Sequence, residues 1–525
     1  MPIRAFYKDL KKKIQVLAGL MLLNGHFWVV AAAETPKEAS EQRLYYRVSI
    51  AGEPAGRLEA VEIRSAAERV TRFDLEIQFQ RAGLSQSLGM ESRFVETADG
   101  TPVVAWSRQR LGATPIETTY TFTASGVDIE SRQGDNLVKR QLPKTPGWKP
   151  PAAAEEETTR AMAAALAGGP TRFSITSMDP LLGPEPQTTV WELEAKDELL
   201  ELDGQSFTTS RWRQTQDLAP QLPSIVWLDA QGEIRRTRTE LAGMEMLIEW
   251  TATEPKLGEA AGGANPGATA SGPRPRRGPE VFVQTFLRAD HPLDDARSLR
   301  RAVYELRGEN LALPDAGYQR VEKTADGLRL VVDLAASQEQ SLTPEALAPY
   351  LRASIFINHQ NEKVRELHRQ ALAEAKAEAS PATKAELLRR FVGRYLETKD
   401  LRSVLATASE VAENASGDCT EHAVLLAALL RAEGIPARVV FGLIYVDSFA
   451  GAREIFGYHM WTQANLDGRF VDLDATLAQP FDAAHITLGT SALEEEQSSL
   501  AVMNNAMQTL SKASLRILEP AAPAP

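Results

Sequence analysis

Between Leu44 and Trp250 apolar and polar residues alternate one by one, in runs such as "RLYYRVSI", "TRFDLEIQF", "ETTYTFTASGVDIES", "TTVWELEA" and "EIRRTRTELAGMEMLIEW". A period of two places alternate side chains on opposite faces of a strand, so each run predicts a strand with one buried face. The "ADG", "LDG" and "AQG" triplets between them are turn signals of antiparallel hairpins. Residues 34–253 therefore read as one or more antiparallel β-rich domains. A single helix is predicted inside this region, over 150–170, where "PPAAAEEETTRAMAAALAGGP" opens on prolines and closes on Gly-Gly-Pro.

The alternation stops at 254–279, where "EPKLGEAAGGANPGATASGPRPRRGPE" is too rich in small residues, Gly and Pro to bury much apolar surface. This segment reads as a flexible linker. Beyond it, "SLRRAVYELRG" and "GLRLVVDLA" predict a small β-rich module over 280–355. From 356 the period lengthens: "KAELLRRFVGRYLETK" sets Leu387, Leu388, Phe391, Val392 and Tyr395 on one helical face. A helix-then-strand domain is expected over 356–490, then an amphipathic helix and a disordered tail over 491–525. No internal repeat is evident.

Composition adds the compartment. Residues 1–33 carry Arg4, Lys8 and Lys11 to Lys13 ahead of an apolar stretch that ends in Ala31-Ala32-Ala33, the layout of a secretory signal peptide. An uncleaved anchor is the alternative, since Ile14 to Ala33 could just span a hydrocarbon layer of roughly 30 Å. The expected location is the periplasm or cell envelope, with membrane contact only if the segment is retained. The chain has a net charge of −12, and loss of the first 33 residues, with five basic groups and one acidic, makes it −16. Such an acidic chain is a poor nucleic-acid binder.

The 525 residues include one cysteine, Cys419, in "SGDCTEHAVLLAALLRAEGIPARVV". Asp418 with Glu421 has capping-box spacing, and Gly434 with Pro436 ends the helix, so Cys419 falls in its first turn. Unpaired N–H groups and the positive dipole end there favour a thiolate. Buried cysteines are commonly inert, so the reading depends on a base within reach. Of seven histidines, His26 lies in the signal, and His291, His359 and His368 sit in polar surroundings. His422 shares the thiol's helical turn and reads as packing, while His485 could pack over the site.

His459 belongs to "GYHMWTQANLDGRFVDLDAT", two strands joined at Asp467-Gly468. In that register Leu466 pairs with Arg469 and Gln463 with Asp472, and His459, Trp461, Gln463, Asp472 and Asp474 share a face. Asp474 is the diagonal neighbour of His459, and Asp472 lies one pair further off. A carboxylate on one imidazole nitrogen leaves the other free to take a thiol proton. Cys419, His459 and Asp474 are thus the candidate catalytic residues.

The blocks "GDCTEHAVLLAALLRAEGIPARVVFG", "HMW" and "DGRFVDLDAT" together resemble the core of the transglutaminase-like superfamily, except that Ala475 stands where the family usually has Pro. The resemblance implies a multi-domain α+β chain with a papain-like catalytic core, and a thioester acyl-enzyme formed on amide or peptide bonds of an envelope protein or peptide. It implies Cys419 as nucleophile, His459 as general base and acid, and Asp474 as its orienter, with hydrolysis or acyl transfer to an amine as the outcome. The alternative is a noncatalytic envelope scaffold that binds peptides with the same fold. One cysteine and no H-x-x-x-H pair make a metal site a weak rival. No P-loop, G-x-G-x-x-G, H-E-x-x-H or G-x-S-x-G occurs either, and neither metal nor cofactor is expected.

Overall fold

A computed structural model describes residues 39–81, 84–143, 149–181, 183–217, 219–241, 243–256, 279–280, 286–308, 311–335, 342–376, 378–397, 405–494 and 513–521. The expected signal segment, most of the expected linker and residues 495–512 lie outside this set. The described chain falls into two compact units that divide at Glu280 and Val281.

The first unit is a single antiparallel sheet. Eight strands run from β1 (Ser40–Ile50) to β8 (Asn136–Pro143), helix α1 (Pro151–Leu166) follows, and six more run from β9 (Arg172–Asp179) to β14 (Met244–Thr251). Each meander pairs neighbour with neighbour, and β1 joins β14, so the two meanders are zipped together by the first and last strands of the unit. The alternation explains why: Leu44, Tyr46, Val48 and Ile50 of β1 are buried while the residues between them are only partly so. A chain with that pattern gains by covering one face along its whole length.

In the second unit a five-stranded sheet has the order β15 (Leu287–Arg288), β20 (Ala452–Leu466), β19 (Ala437–Phe449) and β22 (His485–Ser491), with β21 (Arg469–Leu473) also on β20. A four-stranded sheet has the order β17 (Gln319–Lys323), β18 (Gly327–Asp333), β16 (Arg301–Arg307) and β23 (Ser514–Ala521). Helices α2 (Pro344–Leu347), α3 (Glu362–Ala371), α4 (Pro381–Tyr395), α5 (Ala408–Asn414) and α6 (Cys419–Ala432) fall between them in sequence, and α6 packs on β19, β20 and α3 to α5. Leu425, Leu426, Leu429 and Leu430 of α6 are wholly buried. At about 1.5–3 kcal/mol for each such side chain, sliding the helix would be expensive, so its first turn is a fixed platform.

Three expectations are corrected. The chain is mostly β, 53% strand against 18% helix, so the α+β label describes only the part that carries α2 to α6. The expected small module over 280–355 does not stand apart: among the described residues, Leu293, Tyr304, Leu330 and Val332 share one cluster with Val440, Leu443, Trp461 and Ile486. The end of the expected disordered tail is strand β23, paired in register with β16 from Arg307↔Ser514 to Arg301↔Ala521. Leu515 and Ile517 of β23 are buried, which repays the ordering of a short polar-looking segment. The amphipathic helix expected before it falls largely on residues outside the described set.

Candidate active site

Helix α6 begins as its sequence dictates. Asp418 is its N-cap: the Asp418 carboxylate accepts from Thr420 N–H at 2.9 Å, and Asp418 N–H donates to Glu421 Oε2 at 2.8 Å. At the other end Gly434 takes φ +80°, and Ile435 N–H reaches back to Leu430 C=O at 2.9 Å, a Schellman closure. Cys419, half-buried and in no disulfide, is the first helical residue. Burial and the neighbouring Asp418 push the Glu421 carboxyl, which closes the cap of the thiol's helix, above the usual carboxylate range.

One hydrogen bond ties this helix to the sheet: Thr462 Oγ1 of β20 donates to Ala423 C=O, one turn after Cys419, at 2.9 Å. His459 lies three residues before Thr462 on the same strand.

The hairpin that carries His459 turns at Asp467 and Gly468, with φ of 52° and 83°, as a two-residue turn of this hand requires. Its ladder runs from Leu466↔Arg469 to Thr462↔Leu473 and then stops. Asp474, just beyond the last pair and wholly buried, places Oδ2 2.8 Å from His459 Nε2. Thr476 donates to Oδ1 from both N–H (2.8 Å) and Oγ1 (2.6 Å). Burial would raise Asp474, but the adjoining His459 and hydrogen bonds from His459 and His485 hold its carboxyl well below the usual carboxylate range. The buried Arg389 of α4 fixes the backbone here, donating to Asp474 C=O at 3.0 Å and Leu477 C=O at 2.7 Å. The loop also comes close to α4 at Gly393, where an added Cβ would lie 2.6 Å from Ala475 O.

Asp472 does something else. Its Oδ1 accepts from Trp461 Nε1 and Gln463 Nε2, both at 2.7 Å, and its Oδ2 accepts from Tyr318 N–H at 3.1 Å. Burial pushes its carboxyl up, partly offset by these donors. Asp472 anchors the indole that lies beside His459, ring centres 6.0 Å apart.

Of the other histidines, His422 is buried and turned back on its own helix, Nδ1 2.6 Å from Asp418 C=O. His485 is wholly buried at the start of β22 and makes a direct contact that sequence reasoning missed: its Nε2 lies 3.3 Å from Asp474 Oδ2, and its Nδ1 3.0 Å from Asp482 Oδ1. The "DAAH" spacing of three was the available signal for the second contact, and nothing local signalled the first. His459, Asp474 and His485 each bring one ligand-type atom within 4.8 Å of the others. Each imidazole nitrogen in this cluster that faces a carboxylate does so at hydrogen-bond length, and the cluster reads as a hydrogen-bonded chain.

Among the described residues no helix is long and apolar enough to cross a membrane. Residues 366–475 match the family model of the transglutaminase-like superfamily. No curated protein is significantly similar in sequence. Among solved structures, a β-barrel-like protein with a domain of unknown function from Brucella abortus aligns over 40% of this chain and 94% of its own, with 11% identity and a TM-score of 0.30. A candidate cysteine protease from Cytophaga hutchinsonii aligns over 41% of this chain and 81% of its own, with 15% identity and a TM-score of 0.25. The periplasmic domain of TgpA from Pseudomonas aeruginosa, bound to ethylmercury, aligns over 36% and 88%, with 15% identity and a TM-score of 0.25.

Proposed function

We propose, from the premise that residues 366–475 are a transglutaminase-like domain, that the protein is an exported thiol enzyme acting on amide bonds of envelope proteins or peptides. The observation that carries this reading is the His459–Asp474 pair, 2.8 Å apart, with His459 on the strand against which the cysteine-bearing helix is anchored. Asp474 occupies Nε2 of the imidazole, so Nδ1 is the nitrogen left to exchange a proton with the thiol.

In the proposed reaction the Cys419 proton passes to His459 and the sulfur attacks the acyl carbon. The C–N bond then breaks as His459 returns the proton to the leaving amine, and a thioester remains on Cys419. Attack by water releases an acid, whereas attack by an amine forms a new amide. In either case His459 takes the proton of the attacking group and returns it to the thiol.

The test is alkylation of Cys419 by iodoacetamide in the full chain at pH 7, followed by capture of acyl groups on Cys419 in envelope extract and their identification by mass spectrometry. Alkylation well above the rate of an unperturbed thiol, abolished in Cys419→Ala and slowed in His459→Ala, supports the enzyme. Alkylation no faster than a free thiol sinks it in favour of a peptide-binding scaffold.

A further inference from the structure

We propose that His485 is a positioning residue of this site: an imidazolium clamped between Asp482 and Asp474, which holds the Asp474 carboxylate and shares it with His459. The inference rests on the enzyme reading above for its effect on Cys419, but not for the charge on His485.

The charge follows from what the ring faces. Nε2 meets Asp474 Oδ2 at 3.3 Å, and Nδ1 meets Asp482 Oδ1 at 3.0 Å and Asp482 C=O at 3.1 Å. All are acceptors, so both nitrogens must carry protons to be satisfied, and a neutral imidazole has only one N–H. Neither side of this chain can easily turn. Asp474 is a carboxylate that also accepts from Thr476 and His459, and Asp482 is held by an ion pair with Arg297 at 2.9 Å and by Ala484 N–H at 2.9 Å. The loop around Asp482 is tied to the four-stranded sheet and its approach, through Ala483 N–H to Leu299 C=O and Tyr304 OH to Ala483 C=O, both 2.8 Å.

The charged and titratable groups around the ring are Asp474 and Asp482 in direct contact, His459 at 5.8 Å between ring centres, Arg297 behind Asp482, and Asp472. Trp461 and Phe481 close the remaining faces, at 5.2 and 4.3 Å. Burial in this apolar wall favours the neutral ring, but the charge of Asp482 and the hydrogen bonds to Asp474 and Asp482 outweigh it and raise His485 to about 9. The chain Arg297–Asp482–His485–Asp474–His459 thus alternates in sign as far as Asp474. A buried cation on Asp474 competes with His459 for that carboxylate, so removing it strengthens the hold of Asp474 on a protonated His459.

The proton count is tested directly by selective 15N-histidine labelling of the full chain, with His485 assigned by its loss in His485→Gln. Both ring nitrogens should remain protonated at pH 7 to 8; a neutral tautomer of His485 at pH 7 overturns the proposal. Its consequence is read from alkylation of Cys419 by iodoacetate, an anion that is drawn in while a protonated imidazole stands beside the thiolate. In His485→Gln the alkaline limb of that profile should move up, and in Asp482→Asn by less. A rate lowered equally at every pH, with the limb unmoved in both variants, reduces His485 to packing and overturns the proposal. Should wild-type Cys419 prove no more reactive than a free thiol, the enzyme reading fails on its own, and the labelling still decides the charge on His485.

Discussion

Gly442 of β19 lies opposite His459 in the ladder, and a Cβ at residue 442 would stand 2.2 Å from the Trp461 indole and 2.4 Å from Ile486 O. The bare backbone there lets the indole lie flat between strand neighbours, with its N–H on Asp472. Since both obstacles are buried, Gly442→Ala must displace one of them. We expect a loss of about 1–3 kcal/mol by overpacking and a slower alkylation of Cys419, because Trp461 also walls the imidazoles. A urea midpoint within error of wild type would show that the indole has room to yield.

The two aspartates of the hairpin should separate by phenotype. Asp474→Asn leaves shape intact but gives His459 a neutral partner, so acyl transfer should fall by about 10³–10⁴-fold, by analogy with hydrolase triads. In Asp472→Asn one of the two accepting oxygens becomes an NH2 that cannot accept, so the buried donors of Trp461, Gln463 and Tyr318 no longer all have a partner, and stability should fall more than activity. Steady-state rates on a captured substrate, set beside thermal melts of both variants, give the comparison; an inversion of the two effects would reassign the roles.

Thr462 fixes how α6 sits on β20. Its hydroxyl is wholly buried and bonded to Ala423 C=O, so Thr462→Val should cost about 0.5–1.5 kcal/mol for the hydrogen bond lost. Because Ala423 is one turn from Cys419, iodoacetamide reactivity should drop with it. Lost stability at unchanged reactivity would place the thiol's alignment elsewhere.

Stability should also depend on alkaline pH through His485. Its folded-state value, about 9, exceeds the ordinary 6.5, so the folded state binds the proton more tightly than the unfolded chain. That contribution is fully present below pH 6.5 and is lost as pH rises through 9. Glu421, whose carboxyl is also raised above its ordinary value by burial, acts in the same direction as pH rises. Denaturant midpoints measured from pH 6 to 10 should therefore decline, and His485→Gln should flatten the part above 6.5.

Much of this was readable along the chain. Single-residue alternation marked the strands of the first unit, capping residues marked both ends of α6, and Asp467-Gly468 set a register in which Gln463 meets Asp472 and Asp474 shares a face with His459, although the ladder itself stops at Thr462↔Leu473. These features are local: each depends on dihedral preferences or side-chain spacing within a few residues. What only the tertiary structure decided is long-range. β23 pairs with β16 across about 200 residues, residues 293–334 enter the core of the helix-bearing unit, and Arg297, Asp482 and His485 converge on Asp474. Those partners are selected by which apolar faces can be buried together and which buried polar groups must be satisfied, and apart from the three-residue spacing of Asp482 and His485 a single sequence carries no periodic or spacing signal for them.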